Sequence, residues 1–309
     1  MVAGGAGFIG SHLTDSLLGM GHRVICVDNF LLGTRDNVAH LRGAENYVLH
    51  EQDVCDIYGM RRIFRKESVD YVFHLAANSD IRSGGRDPRI DLDNTYMTTF
   101  NLLECMREFN VKRLFFSSTS AVYGERQGAA TAEDAGSLRP VSYYGAAKLG
   151  GEALISAYGE LCGIKSLVFR FPNVIGSRLT HGVIYDFIGK LKSDPTRLRI
   201  LGDGRQTKPY MHVSDLINGI TKFMDNDAGM DVYNIGVETR TDVTRIADII
   251  CAAMGLVGVA YEYSGGRGGW PGDVPEFSFD LSRIKAKGFK ALYTSDEAVR
   301  KTAEELCAR

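Results

Sequence analysis

Up to about position 171, short β-branched apolar runs alternate with longer stretches whose apolar residues recur every three or four positions. That alternation predicts a parallel sheet with helices packed on both faces. Strands are expected at Val24–Val27, Tyr47–Leu49, Tyr71–Leu75, Arg113–Phe116 and Leu167–Phe171, and helices at Ser11–Met20, Asp56–Lys66 and Thr98–Phe109. Only Met1-Val2-Ala3 precede Gly4, so the first strand is expected to be a stub beside the usual five residues or so. After Phe171 the rhythm degrades into Gly- and charge-rich loops at Gly202–Arg205 and Ser264–Asp273. Two helices, Val213–Met224 and Asp242–Met254, and a strand near Val232–Ile235 interrupt that region. The fold class predicted is α/β, a doubly wound parallel sheet followed by a smaller, discontinuous C-terminal α/β domain. The boundaries expected are 1–172 plus 213–238 for the first domain and 173–212 plus 239–309 for the second.

Composition narrows the partners. With 309 residues, 44% hydrophobic and 24% charged, the chain is an ordinary globular one, and a net charge of -2 gives no general attraction to nucleic acid or a membrane. Any phosphate must be held by local groups. Six cysteines without a Cys-x-x-Cys pair read as buried thiols of a reducing compartment, and no metal site is expected. No apolar run approaches the ~18 residues of a membrane span, and no signal peptide is visible, so a cytoplasmic protein is expected.

Gly4, Gly7 and Gly10 open the first helical stretch, a spacing suited to a dinucleotide cradle. One glycine permits the turn, the next lets backbone approach a pyrophosphate, and the third lets helix pack closely on strand, while the helix N-terminus favours the anion. Asp28 stands at the end of the next strand, placed to accept hydrogen bonds from an adenosine ribose and to repel a 2′-phosphate, so NAD is favoured over NADP. The first domain is thus expected to be of Rossmann type. Asp53 has two readings, a contact to adenine or a cap for the helix beginning near Asp56. His74, in an apolar strand, reads as a packed residue.

Ser117, Ser118, Thr119 and Ser120 bring four hydroxyls to the same sheet edge, where they can exchange hydrogen bonds with a sugar. Tyr144 and Lys148 lie four apart, on one face of a helix, so the ammonium can favour the phenolate form of a group that ordinarily titrates near 10. A cationic nicotinamide ring would add to that effect, making removal of a proton from a sugar hydroxyl feasible.

With these residues the chain resembles the extended short-chain dehydrogenase/reductases of the NAD-dependent nucleotide-sugar epimerase kind, UDP-glucose 4-epimerases most of all. The blocks that carry the resemblance span nearly the whole chain: Gly4-x-x-Gly7-x-x-Gly10, Asp28, Asp53, His74-Leu75-Ala76-Ala77, Ser117 to Gly124, Tyr144-x-x-x-Lys148, Arg170-Phe171-Pro172-Asn173, Gly202-Asp203-Gly204 and Gly272-Asp273. The resemblance implies that Tyr144 is the acid/base, that Lys148 binds the nicotinamide ribose and lowers the tyrosine's pKa, and that Thr119 completes the catalytic set. It implies NAD contacts from Phe8, Ile9, Asn29, Val54, Leu75, Ala76, Ala77, Ser117 and Phe171 beside the glycines and acids already named. It implies a UDP-sugar held by Ser79, Thr119, Ser120, Asn173, His181, Gly182 and Val183, and a homodimer formed through the helices flanking the active site.

The reaction implied is C4 epimerisation of a UDP-hexose, UDP-galactose to UDP-glucose, through a transient 4-keto sugar. UDP-glucuronate and UDP-N-acetylhexosamine are alternative substrates. Sugar dehydratases of this resemblance carry an Asp-Glu pair after the threonine, and decarboxylases a Glu at the second of those positions; here Ser120 and Ala121 stand there. A non-catalytic NAD(H) sensor on the same fold is the reading from a different class, and the presence of Tyr144 and Lys148 argues against it. Two departures concern phosphate: Lys208 stands where an arginine is common, giving a point charge in place of a fork. Trp270 stands where the second arginine directly precedes Pro-Gly-Asp, so Arg267 is the candidate replacement, and Asp273 either binds a ribose hydroxyl or caps the turn at Gly272.

Overall fold

In the first half of the chain the strands end in a common edge, and the glycine loop, the hydroxyl cluster and the Tyr-Lys helix all gather there. The computed structural model describes residues 1–126, 130–225, 229–266 and 274–308. They divide into two compact units, residues 1–124, 138–170 and 217–233, and residues 125–137, 171–216 and 234–309.

The first unit holds strands β1 (Val2–Ala3), β2 (Val24–Asp28), β3 (Tyr47–Glu51), β4 (Tyr71–His74), β5 (Arg113–Thr119), β6 (Lys165–Phe171) and β11 (Met230–Asn234). They form one seven-stranded sheet in the order β11-β6-β5-β4-β1-β2-β3. The pairs β1–β2, β1–β4, β2–β3 and β4–β5 are parallel, and the order reverses direction at β1, the switch point where such sheets bind ligands. The helices are α1 (Phe8–Gly19), α2 (Ile57–Lys66), α3 (Ile81–Arg86), the single turn α4 (Pro88–Asp91), α5 (Thr98–Glu108) and α6 (Tyr143–Cys162), and α8 (Val213–Phe223) passes from the second unit into the first. Met60, Ile63 and Phe64 of α2 recur at the helical spacing and pack with Leu102, Leu103 and Met106 of α5 and Ile155 of α6 against Ile25, Val27, Val72, Leu114 and Phe116 of the sheet. Each such side chain contributes roughly 1.5–3 kcal/mol by leaving water.

Short as it is, β1 pairs on both sides, Ala3 opposite Val27 and His74. The fifth strand is longer than its apolar run: Ser117, Ser118 and Thr119 continue it and are buried. Hydroxyl residues carry no hydrophobic signal, which is why periodicity ended the strand at Phe116.

The second unit holds three two-stranded pieces. The strand β7 (Asn173–Ile175) runs parallel to β10 (Tyr210–His212), β8 (Arg197–Ile200) parallel to β13 (Ala260–Tyr263), and β9 (Thr207–Lys208) antiparallel to β12 (Thr241–Asp242). Its helices are α7 (Val183–Ser193), α9 (Val243–Ala253), α10 (Ser282–Ala286) and α11 (Ser295–Cys307), the last opened by a capping box between Thr294 and Glu297. Segment 125–137, drawn into the first domain by sequence order, belongs here. Thr131 exchanges backbone bonds with Ser278 and Asp280, each 2.9 Å long, and Glu133 accepts the Asn234 N–H at 2.8 Å.

All six cysteines are free. Among the described residues no helix is long and apolar enough to cross a membrane, and no group of His, Cys, Asp and Glu could hold a metal ion.

Candidate active site

The cradle is built from backbone. Gly4 takes φ +81°, and a Cβ there would lie 2.6 Å from the Ala76 nitrogen; one on Gly10 would lie 2.0 Å from the Gly4 oxygen. Both values are far inside contact distance, so only glycine lets the turn, the helix and the end of β4 meet. Gly7 is the N-cap of α1 and has no side chain to bond the helix terminus. The N–H groups of Phe8, Ile9 and Gly10 have no partner one turn back, so they offer donors to an anion where the helix dipole also favours one.

Asp28 flanks this loop. One carboxylate oxygen accepts the Ala6 N–H at 2.9 Å and the other the Phe30 N–H at 2.8 Å, while burial pushes its pKa up and these backbone donors pull it back. Each oxygen keeps a lone pair for a ribose hydroxyl. A Cβ at Gly33 would come within 2.8 Å of the same carboxylate, so the loop after β2 closes tightly over it. The residues present thus fit a dinucleotide: close-approach glycines, an open helix terminus and an acid that flanks the loop from the end of β2.

Asp53 does not cap a helix. Asp56 does, accepting the Tyr58 and Gly59 N–H groups at 3.1 and 3.0 Å. Asp53 instead accepts the Cys55 N–H at 2.7 Å and the Asn29 amide at 3.1 Å, which ties the ends of β2 and β3 together. Val54 is a core residue whose carbonyl accepts the Asn101 amide, and Leu75, Ala76 and Ala77 follow β4 beside Gly4. Phe171 ends β6 and is half-buried. His74 is packed, as read: its Nε2 pairs with the Thr99 hydroxyl at 2.9 Å, and burial holds its pKa well below the usual value.

The proton site is built from side chains. Ser142 caps α6 by accepting the Gly145 N–H at 3.1 Å, and Gly145 is forced: a Cβ would lie 2.6 Å from the Ala121 carbonyl. That contact seats the first turn of α6 on the 3₁₀ turn Ser120–Tyr123, beside Thr119. The Thr119 hydroxyl accepts the Ala121 N–H at 3.2 Å and lies near enough to the Tyr144 phenol to favour its ionised form. One turn on, Lys148 is 1% exposed; its ammonium donates to the Ser117 carbonyl at 2.7 Å and the Ser117 hydroxyl at 3.3 Å and stands 6.0 Å from the Tyr144 ring centroid.

Burial pulls the Lys148 pKa down to about 7, and Glu152 pulls it back up. Burial first and Asp91 second push the Tyr144 phenol above its ordinary range, and the Thr119 hydroxyl works the other way. The Lys148 ammonium directs its bonds at Ser117, and burial is the largest influence on the phenol.

Behind Lys148 lies a cluster that joins Ser118, Tyr123 and Arg170, all within the sequence blocks named above, to Glu152, which stands outside them. Glu152 takes two bonds from Arg170, at 2.9 and 2.6 Å, and one from the Ser118 hydroxyl, while Arg170 also donates to the Tyr123 hydroxyl at 2.9 Å. All four are buried. The readable signal for Glu152 was its place four residues after Lys148, on the same helix face.

Of the expected sugar contacts, Thr119 and Ser120 lie beside Tyr144, and Ser79 is exposed in the loop after β4. Within the second unit Asn173 starts β7, His181 is exposed, Gly182 at φ +99° caps α7, Val183 begins that helix, and Lys208 lies in β9. Lys208 is two residues from Tyr210, the partner of Asn173 across β7 and β10. Arg267, Trp270, Gly272 and Asp273 lie outside the described residues.

Residues 1–236 match the model of the NAD dependent epimerase/dehydratase family, and the chain belongs to it. A Methanocaldococcus jannaschii protein provisionally named a UDP-glucose 4-epimerase is 31% identical over 306 residues, 97% of this chain and 96% of that one. A crystal structure of a UDP-galactose 4-epimerase superposes with TM-score 0.88 at 36% identity, covering 99% of this chain and 98% of the other. The UDP-glucuronic acid 4-epimerase of Bacillus cereus, solved with UDP-glucuronic acid and NAD, superposes with TM-score 0.88 at 26% identity over the same shares. The extended short-chain dehydrogenase/reductase fold and NAD as cofactor stand on these likenesses together with the cradle.

Proposed function

We propose that this NAD-dependent family member epimerises a UDP-hexose at C4, interconverting UDP-galactose and UDP-glucose. The observation that carries the reading is the Thr119–Tyr144–Lys148 constellation followed by Ser120 and Ala121, which leaves a proton-transfer site with no neighbouring acid pair to drive elimination.

Tyr144 takes the proton of the sugar's 4-hydroxyl and later returns one to the ketone oxygen, so the proton count closes over a cycle. Thr119 hydrogen-bonds that same oxygen and keeps it in line with the phenol. Lys148, held by Ser117, orients the nicotinamide ribose and supplies positive charge beside the phenol when protonated. Bound NAD supplies the acceptor and donor of the C4 hydride, so there is no net redox change. The glycine loop and the α1 terminus hold its pyrophosphate, Asp28 its adenosine ribose, and Asn29, Asp53 and Leu75 to Ala77 line the same edge. In the second unit Asn173, His181 to Val183 and Lys208 serve the UDP, with Arg267 and Asp273 as further contacts.

A second reading takes UDP-glucuronate or a UDP-N-acetylhexosamine. It is favoured by Arg82, exposed beyond Ser79, and by the likeness to the B. cereus enzyme. Incubating the purified protein with each UDP-sugar and following the C4 epimer separates them: UDP-glucose formed fastest from UDP-galactose supports the first reading, and no conversion of any of them sinks both. Tyr144→Phe is expected to lose roughly 10²–10⁴ in rate while keeping NAD affinity. An NAD(H) sensor would show no turnover to lose. The assembly in this reading is a cytoplasmic homodimer, and a monomeric mass by light scattering would refute the dimer.

A further inference from the structure

A buried ion pair sits behind the proton site, in a place where apolar side chains would pack as well. Glu152 and Arg170 are 4% and 5% exposed. Arg170 donates to both Glu152 oxygens, at 2.9 and 2.6 Å, the two-pronged geometry that fixes a guanidinium against a carboxylate. Taking two charges out of water is unfavourable, and buried pairs are often replaced by apolar residues of similar volume without loss of stability. Stability alone therefore does not account for this one.

The bonds that leave the pair lead to the proton site. Glu152, on α6, also accepts the Ser118 hydroxyl of β5. Arg170, on β6, donates to the Tyr123 hydroxyl at 2.9 Å and lies over that ring, 5.0 Å from its centroid. Ser118 stands between Ser117, which holds the Lys148 ammonium, and Thr119, while Tyr123 ends the 3₁₀ turn that begins directly after Thr119. The pair thus joins α6, with Tyr144 and Lys148, to β5 and to the turn that follows it. Glycines bring these elements close: a Cβ on Gly145 would lie 2.6 Å from the Ala121 carbonyl, and one on Gly151 3.0 Å from the Phe116 ring. Such contacts set how near the helix lies, and directional bonds set where along its axis it stops.

We propose that the Glu152–Arg170 pair positions the proton site, fixing α6 against β5 so that Lys148 meets Ser117 and Tyr144 stands beside Thr119. The proposal rests on the acid/base reading of Tyr144. Both residues act through others, so their loss falls on the chemical step and not on binding. A reacting group displaced by about 1 Å can lose roughly a hundredfold in rate.

The test is Ser118→Ala, which keeps the ion pair and cuts its link to β5. The kcat with the UDP-hexose is expected to fall roughly tenfold to a hundredfold while KM and NAD affinity hold. A parent-like kcat overturns the proposal, and so does a loss confined to KM. Glu152→Leu combined with Arg170→Met removes the pair itself; this double variant is expected to fold, as apolar replacements of buried pairs commonly do, and to lose turnover by a similar factor. A folded double variant with parent-like turnover overturns the proposal, and if it does not fold, Ser118→Ala decides alone. Acetylation of Lys148 by acetic anhydride, followed by mass spectrometry, needs no sugar. The buried amine should label slowly in the parent and several-fold faster in Ser118→Ala; an unchanged rate overturns the proposal. If the parent turns over no UDP-sugar, the epimerase reading fails by itself while the labelling still decides what the pair does.

Discussion

At Gly4 and Gly10 the chain approaches itself so closely that a single methyl group would collide with backbone 2.6 and 2.0 Å away, whereas around Tyr144 the crowding is one of charge. The cradle offers an incoming anion little but peptide N–H groups and one acid. The proton site sets the buried Lys148 beside the Tyr144 ring, with the buried Glu152–Arg170 pair behind it. Both regions face the same sheet edge. The difference teaches that binding a constant ligand part, the pyrophosphate, calls for rigid shape, while moving a proton calls for opposed fields that can be adjusted one side chain at a time.

The strongest way to sharpen that contrast is to remove charge from the proton site without touching its shape. Lys148→Met leaves a side chain of similar length in a site that disfavours the ammonium. With the folded pKa at about 7 against an ordinary 10.5, the lysine is charged in both folded and unfolded protein below pH 7, and there the full cost of burying the charge weakens the parent. That cost is at most about 5 kcal/mol at 1.4 kcal/mol per unit, less the lost bonds to Ser117. As pH rises from 7 toward 10.5 the folded lysine becomes neutral first, so the parent gains stability across that window and the gap to the variant closes. Denaturant melts at several pH values should show the variant at least as stable as the parent near pH 6.5, with turnover nearly abolished. A variant less stable by the same amount at every pH would mean that the ammonium is not buried at a cost.

Gly10→Ala breaks the comparison from the other side. The added methyl carries no charge, yet it must displace the Gly4 carbonyl, and overpacking of this kind costs roughly 1–3 kcal/mol. NAD affinity measured by calorimetry should fall roughly tenfold to a hundredfold, with the Tyr144 titration unmoved. Unchanged affinity would show that the cradle is less rigid than its contacts imply.

How much of this was legible in the sequence follows from the same contrast. The cradle could be read because only glycine satisfies its backbone at Gly4 and Gly10, and with Gly7 between them they spell it out. The sheet was readable wherever a strand was apolar, and not at Ser117–Thr119, where buried hydroxyls end the signal while the strand goes on. Tyr144 and Lys148 were readable from their spacing on one helix. Ser118, Glu152, Arg170 and Tyr123 converge from three elements and the 3₁₀ turn, and a glutamate or an arginine in isolation looks like surface. Segment 125–137 joined the second unit through backbone bonds to residues about 150 positions away, beyond any local pattern.

The smallest expected effect tests the assignment of two neighbouring acids that sequence could not separate. Asp56 accepts the first N–H groups of α2 and is exposed, so Asp56→Ala should lower stability by about 1 kcal/mol, the ordinary loss of an N-cap, and leave NAD affinity alone. Asp53 holds Asn29 and the Cys55 N–H at the ends of β2 and β3, where the proposed adenosine site lies, so Asp53→Ala should weaken NAD binding more than it weakens the fold. Thermal melts with and without NAD measure both. If the two substitutions act alike, the edge of the cradle is held by helix capping and the division between a shape-built and a charge-built region does not extend to β3.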